Sequence, residues 1–329
     1  MKPLLRLAAL VAAAVLGAGP AAVAAATPAS AYTTIPAGYD DDLRYFAPGA
    51  PVVKGGAALA EMPTADLIVW VAGNQFFAME DVVRAFQVEH PHASVVMVTL
   101  PPGMEFDGIM HGGFSYQGHD YPGRPDIYAT VDLVPLRKLR DAKLATSYAT
   151  YMHNELTLLV AQGNPKHIVG IDDLGRADVR SSLPNPLTEG IMTYYAKPVL
   201  ERHGLYARLS GGKDCQGCQA SPTVYFTQVH HRETPQRLED GRADVGIVWK
   251  TEGKAAIGRG AKVEMVALPL ADNERQDVSY YVTSLQATPA HAALADAYVA
   301  FVTTTPGQAV YTRYGFVGAD LAERTSRPI

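Results

Sequence analysis

Two turns in this chain carry residues able to hold a small ligand by hydrogen bonds alone. Gly73-Asn74-Gln75 follows the apolar run Leu67-Ile68-Val69-Trp70-Val71, and Thr188-Glu189-Gly190 follows a run from Val179 to Leu183. A helical pattern comes next in both cases. Each turn therefore lies where the first N–H groups of a helix lack intrahelical partners and attract an acceptor-rich ligand. Thr130, directly after Asp126-Ile127-Tyr128-Ala129, is a third such position, and Trp249 closes a buried run that starts at Asp244. N-capping is the plainer explanation of Asn74 and Thr188, and core packing is the plainer one of Trp249.

Metal capture is a second chemistry within reach. His111, His119, Asp120 and Tyr121 share a glycine-rich stretch with Met104 and Met110, and His230-His231 lies further on. Imidazole, carboxylate, phenol and thioether all bind transition metals, but the spacing is irregular and reads first as polar loop. Cys215-Gln216-Gly217-Cys218 has no His after its second cysteine, which excludes covalent haem attachment. A local disulfide, a redox dithiol and a metal pair are its three readings. Gly-x-Ser-x-Gly, His-Glu-x-x-His, a phosphate loop and a dinucleotide turn are all missing, so nothing in the motifs points to an enzyme.

The elements that must position these residues follow from hydrophobic periodicity. Leu67 to Val71 reads as a buried strand; Met79, Val82, Val83 and Phe86 fall on one face of a helix that His90-Pro91 closes; Ser94 to Leu100 is a second strand. Strand, helix, strand is the pattern of a parallel α/β sheet. Asp126–Ala129, Glu155–Val160, Val179–Leu183, Asp244–Trp249, Val263–Leu268 and Tyr280–Leu285 read as further strands. Helices are expected over Leu133–Leu144, Gly190–Glu201, Ala290–Val302 and Gly307–Tyr314. Residues 32–65, rich in Gly, Pro and Ala, read as an extended lead-in, and 101–125 as a long loop without regular structure.

Lys2 and Arg6 precede an apolar run from Leu7 to Leu16, with small-residue cleavage patterns at Ala22-Val23-Ala24 and Ala29-Ser30-Ala31. Residues 1–31 therefore read as a secretory signal peptide, and the mature protein as periplasmic. Export favours the disulfide reading of Cys215 and Cys218. The 329 residues include 28 Lys plus Arg against 33 Asp plus Glu. Removing the leader takes away two cations and no acid, so the net charge moves from −5 to −7. That balance offers nucleic acid no basic footprint, and a chain of this length buries a core without staples.

Four segments carry a resemblance. They are Asn154-Glu155-Leu156-Thr157-Leu158-Leu159-Val160 with Gly163-Asn164-Pro165; Leu183-Pro184-Asn185-Pro186-Leu187-Thr188-Glu189-Gly190; Leu238 to Trp249; and Tyr311 to Phe316. In this order the chain resembles the solute-binding proteins of ABC importers, in the two-lobed group that binds molybdate, tungstate and sulfate. The resemblance implies an α/β fold of two lobes joined by two hinge strands around a ligand cleft. Lobe 1 would be 66–150 plus 270–329, and lobe 2 would be 151–269. It implies a monomer without cofactor or catalysis that captures a small polar ligand, an oxyanion such as molybdate being one class, and passes it to a membrane permease. Gly73, Asn74, Gln75, Thr130, Thr188, Glu189, Gly190 and Trp249 would line the cleft.

Two departures bear on the ligand. Asn74-Gln75-Phe76-Phe77 stands where oxyanion binders carry small or hydroxyl residues, and Glu189 stands where sulfate binders carry Ser. A carboxylate in the cleft repels a dianion, so either Glu189 faces solvent or the ligand is not molybdate. Tyr194-Tyr195 and Tyr280-Tyr281 are similar to the adjacent tyrosines of ferric-iron-binding relatives. They make a metal or metal complex, held by Tyr194 with His111, His119 and Asp120, an alternative. A secreted enzyme or accessory protein reusing the fold is the remaining one.

Overall fold

Every residue of Leu67–Val71 is buried, which requires both faces of its sheet to be covered. The computed structural model describes residues 31–228, 233–285 and 289–329; the expected leader, except its last residue, and the His230-His231 pair lie outside them. The strands are β1 (Thr33–Ile35), β2 (Leu43–Phe46), β3 (Val53–Lys54), β4 (Leu67–Val71), β5 (Val95–Val98), β6 (Gly113–Tyr116), β7 (His119–Pro122), β8 (Ile127–Thr130), β9 (Ser147–His153), β10 (Leu156–Ala161), β11 (Ser181–Leu183), β12 (Cys218–Ser221), β13 (Val224–Phe226), β14 (Val245–Trp249), β15 (Val263–Ala267), β16 (Ser279–Ser284), β17 (Val317–Gly318) and β18 (Arg327–Pro328). The α-helices are α1 (Gly56–Leu59), α2 (Met79–Glu89), α3 (Pro102–His111), α4 (Leu133–Asp141), α5 (Lys197–Arg202), α6 (Tyr206–Ser210), α7 (Thr234–Glu239), α8 (Lys250–Gly258), α9 (Ala292–Thr303) and α10 (Thr305–Arg313).

A nine-stranded sheet in the order β17-β9-β16-β8-β4-β5-β2-β3, with β18 on β9, builds one lobe, and a six-stranded sheet in the order β12-β13-β11-β14-β10-β15 builds the other. On β4, Leu67, Val69 and Val71 pack against Met79, Val82, Val83 and Phe86 of α2, all four fully buried. Ile68 and Trp70 point the opposite way, where Trp70 stacks on Phe114 with centroids 4.3 Å apart. The carboxyl-terminal helices share the α2 side, with Tyr298 and Phe301 of α9 edge-on to Phe86.

The chain crosses between the sheets twice. It leaves β9 at His153 and enters β10 at Leu156, so the first crossing is Asn154-Glu155; the expected boundary after residue 150 falls inside β9. It returns over residues 268–278, between β15 and β16, and the expected boundary at 269/270 lies there. Strand directions around these crossings place the ligand edge. β14 runs antiparallel to β10 with Trp249 opposite Leu156, and β11 runs parallel to β14, so both point at the crossing. In the other sheet β16 leaves the crossing with Ser279 opposite His153, β8 runs back toward it with Thr130 opposite Tyr281, and β4 is parallel to β8. The carboxyl ends of β4, β8, β11 and β14 therefore converge, which is where α/β sheets bind ligands.

Two expectations are corrected. Residues 32–65 are not a surface lead-in, because β2 pairs antiparallel with β5 from Leu43↔Val98 to Phe46↔Val95, and Leu43 and Phe46 are fully buried. Four residues of a short strand gave too little periodicity to stand out from the Gly and Pro around them. Nor is 101–125 without regular structure: α3 is followed by the hairpin β6–β7, which pairs parallel with β1. Its glycines serve close packing and turn geometry instead of looseness. A Cβ on Gly108 would meet the Phe114 ring at 2.4 Å, and Gln117 and Gly118 both take positive φ in the hairpin turn, as such turns require.

Phe46→Ala is expected to destabilise the protein by about 3–5 kcal/mol, the cost of emptying a filled core position. Denaturant unfolding checks this; a change below about 1 kcal/mol would mean that the segment is an appendage after all.

Candidate functional site

In the first lobe β4 ends in a 3-10 turn, Gly73–Gln75. Gly73 donates its N–H to Leu100 O at 2.9 Å, and a Cβ there would sit 3.0 Å from Thr99 O, so the turn passes too close to the β5 end for a side chain. The side-chain amide of Asn74 meets the Tyr280 hydroxyl with one end, and its other end is buried without a partner. Gln75 is fully buried and points into the core, where its Oε1 accepts from Tyr151 at 2.5 Å; its Nε2 has no partner. Thr130 is fully buried at the end of β8. Two residues on, Asp132 caps α4 by accepting from Val134 N at 2.8 Å.

In the second lobe Thr188 and Glu189 are both bonded within their own turn. Asn185 Oδ1 accepts from Leu187 N at 3.1 Å, from Thr188 N at 2.8 Å and from Thr188 Oγ1 at 3.0 Å. The donors expected to meet an anion are thus spent on Asn185, whose carbonyl oxygen takes the acceptor's place. Glu189 neither faces solvent nor lines an open cleft. It is buried, and its Oε1 accepts from Asn185 N at 3.0 Å, Asn185 Nδ2 at 2.9 Å and the Thr227 hydroxyl. A buried carboxylate needs such donors, and here they rivet the turn to β13. Gly190 is exposed at the start of a π-helical turn, Ile191–Ala196, that runs into α5. Insertions of this kind re-aim side chains and recur at functional sites.

That turn sends Tyr194 to solvent, 67% exposed, and packs Tyr195 edge-on against Trp249 at 5.2 Å. Trp249 is buried where β14 meets the crossing. Tyr195 has its phenol pushed well above the ordinary range, first by burial and then by Tyr281, Asp132, Asp277 and Glu274. Tyr281 and Asp132 belong to the first lobe, so acidic groups of that lobe act on a second-lobe phenol. Tyr281 is itself raised by burial, with Asp132 among its influences. Arg259, at the end of α8, lies 5.4 Å over the Phe77 ring, so the lobes are drawn together. Sequence reasoning missed Asp132 and Asn185. Both carry an Asx-cap signal, an Asn or Asp accepting from the backbone two or three residues on.

The crossings are tied down by polar groups. Asn154 is fully buried and donates Nδ2 to Thr251 Oγ1 at 3.1 Å and to the Tyr280 hydroxyl at 3.3 Å. Lys250 pairs with Glu155 at 2.5 Å. On the return crossing, Arg202 pairs with Glu274 at 2.5 Å, and His203 bridges Asp272 at 2.9 Å and Asp172 at 2.8 Å.

The remaining candidates stand apart from the cleft. His111 meets Thr33 at 3.0 Å beside the small sheet, His119 and Asp120 lie on β7, and Tyr194 is on the other lobe. Among the described residues no three His, Cys, Asp or Glu side chains are grouped to hold a metal, so the set His111, His119, Asp120 and Tyr194 does not form. Cys215 and Cys218 are bonded to each other.

Hydrogen bonds to Asp272 and then Asp172 raise the His203 pKa above the ordinary imidazole range. A pKa raised by folding adds stability that is complete below the unfolded value and disappears as pH climbs through the folded one. Wild type should therefore exceed His203→Gln in denaturant midpoint at pH 5.5 by more than at pH 8.5; an equal gap at both would show that the bridge does not depend on charge.

The model of the bacterial extracellular solute-binding protein family matches residues 67–317. No curated relative matches. Among solved structures, the periplasmic molybdate-binding protein of Azotobacter vinelandii is 19% identical with a TM-score of 0.58, over 77% of this chain and 100% of that one. The sulfate-binding protein SubI of Mycobacterium tuberculosis is 19% identical with a TM-score of 0.54, over 78% and 88%. Iron-bound HitA of Pseudomonas aeruginosa is 16% identical with a TM-score of 0.53, over 78% and 91%. Identities this low establish a shared fold and say nothing of a shared ligand. The family match spans both crossings and most of each lobe, and the chain belongs to the bacterial extracellular solute-binding proteins.

Proposed function

We propose that this protein captures a small polar ligand between its lobes, without making or breaking a bond, and delivers it to an ABC permease after export under the leader at residues 1–31. The ligand arrives with positive charge or with hydrogen-bond donors, as a cation or a metal complex. One observation carries this reading: the converging strand ends bring Tyr195, packed on Trp249, and Tyr281, paired opposite Thr130 at the end of β8 two residues before Asp132, to the same edge from the two lobes. Asp132 stands exposed at the head of α4, and a net −7 on the mature chain adds to its attraction for positive charge. Phenols and a carboxylate are hard oxygen ligands.

A second reading, a free oxyanion, is favoured by the exposed entry to the π-helical turn at Gly190. It draws no support from Thr188, whose two donors are taken.

A thermal-shift screen of the mature protein against ferric citrate, copper, zinc, small organic cations, molybdate, tungstate, sulfate and phosphate separates the two, because a ligand of the native state raises the melting temperature. The cation reading predicts shifts in the first group only. Asp132→Asn sharpens the comparison, since Asn still caps α4 while the charge goes. It should weaken a cationic ligand by about tenfold or more, the scale of one charged hydrogen bond; tighter binding after the substitution would assign the cleft to anions.

A further inference from the structure

Tyr280 lies beneath the cleft, fully buried, with its ring edge-on to Phe316 at 5.6 Å. Its hydroxyl is the meeting point of two amides. Asn154 Nδ2 donates to it at 3.3 Å from the crossing, and Asn74 approaches it from the ligand turn. Asn154 cannot turn over: its Oδ1 accepts from Glu155 N at 2.9 Å, and its Nδ2 also serves Thr251 at 3.1 Å. The phenol oxygen therefore accepts from Asn154, and the single phenolic proton needs an acceptor.

The two ends of an asparagine amide are told apart by hydrogen-bond accounting alone. With Asn74 Nδ2 facing the phenol, the phenolic proton and the buried Asn74 Oδ1 both go unsatisfied. Turned by 180°, the amide gives a directional chain. Asn154 N–H donates to Tyr280, Tyr280 O–H donates to the Asn74 oxygen, and the Asn74 N–H groups take the unpartnered position. Buried polar groups seldom go unpaired, and the second arrangement is favoured because it leaves only the far end of the Asn74 amide without a partner, where the first leaves that end and the phenolic proton.

We propose that Tyr280 is a positioning residue that couples the ligand turn to lobe closure. Thr251 begins α8 of the second lobe, whereas Asn154 N donates to Val278 O at 3.4 Å on the return crossing. Rotation of the second lobe about the crossings carries Thr251 away from Asn154. The two lobes touch beside this bond, where a Cβ on Gly315 of the first lobe would lie 3.6 Å from Thr251 Cα and 3.2 Å from Lys254 Cδ. Closing the lobes sets Asn154 on Thr251, Asn154 sets the phenolic proton of Tyr280, and that proton fixes the orientation of the Asn74 amide in the turn after β4. The inference stands for a cationic complex or an oxyanion alike.

The test needs no ligand. Spin labels at Arg137→Cys on α4 and Glu201→Cys on α5, both exposed positions, report the distance between lobes by pulsed electron resonance in the ligand-free mature chain. Tyr280→Phe keeps the ring and removes the hydroxyl, and should raise the open-to-closed ratio about fivefold, the scale of one net hydrogen bond. Tyr116→Phe, which removes a buried phenol from β6 remote from the crossings, should leave the ratio at the wild-type value. An unchanged ratio in Tyr280→Phe, or an equal rise in Tyr116→Phe, overturns the proposal. If Tyr280→Phe does not fold, Thr251→Val removes the hydroxyl at the far end of the chain, and a wild-type ratio there overturns it equally.

Discussion

Everything in this molecule depends on burying polar backbone and side chains where the chain crosses between its two sheets. A crossing has no ladder of its own, so each N–H, carbonyl and amide there must find a partner elsewhere or cost the fold the desolvation of that group. Asn154 meets the requirement by bonding to its neighbour Glu155, to Thr251 of one lobe and to Tyr280 of the other. Since β9, β10, β14 and β16 all begin or end at this point, the same residue that satisfies the crossing also stands behind the ligand edge. Hinge and binding edge are one piece of structure, and this follows from strand direction before any ligand is considered.

The charges around the cleft are arranged differently in the two lobes. Glu189 is neutralised locally, its oxygen shared among Asn185 and Thr227, and it holds the turn rigid without facing a ligand. Asp132 remains exposed at the head of α4, the position where a carboxylate favours a helix dipole. Glu189 thus holds its own turn, whereas Asp132 caps a helix and stands exposed just after the end of β8. Arg259 at 5.4 Å over Phe77 and Arg44 at 4.2 Å over Phe76 place cations on the aromatic pair after the turn that follows β4.

The long apolar runs made most of the sheet order legible. Leu67–Val71 and Val245–Trp249 are continuous because they are buried on both faces, and the 3.6-residue spacing of Met79, Val82, Val83 and Phe86 located α2 to the residue. What escaped was set by contacts distant in sequence. Tyr281 faces Thr130 only through the antiparallel register of β16 on β8, and no local pattern encodes a register between strands so far apart. The partner of Thr188 was hidden as well, because the Asx signal at Asn185 does not by itself say that the residues two and three positions on donate to it. Glycines in 101–125 suggested looseness, whereas Gly108 is small so that Phe114 can lie against it.

The central claim is that one ligand is gripped by both lobes at the converging strand ends. Hydrogen exchange of the mature protein, with and without the solute that stabilises it most, tests this directly. The account predicts slower exchange together at residues 72–78 and 128–133 of the first lobe and at 190–196 and 249–252 of the second. Slowing confined to one lobe, or centred away from these strand ends, would contradict it.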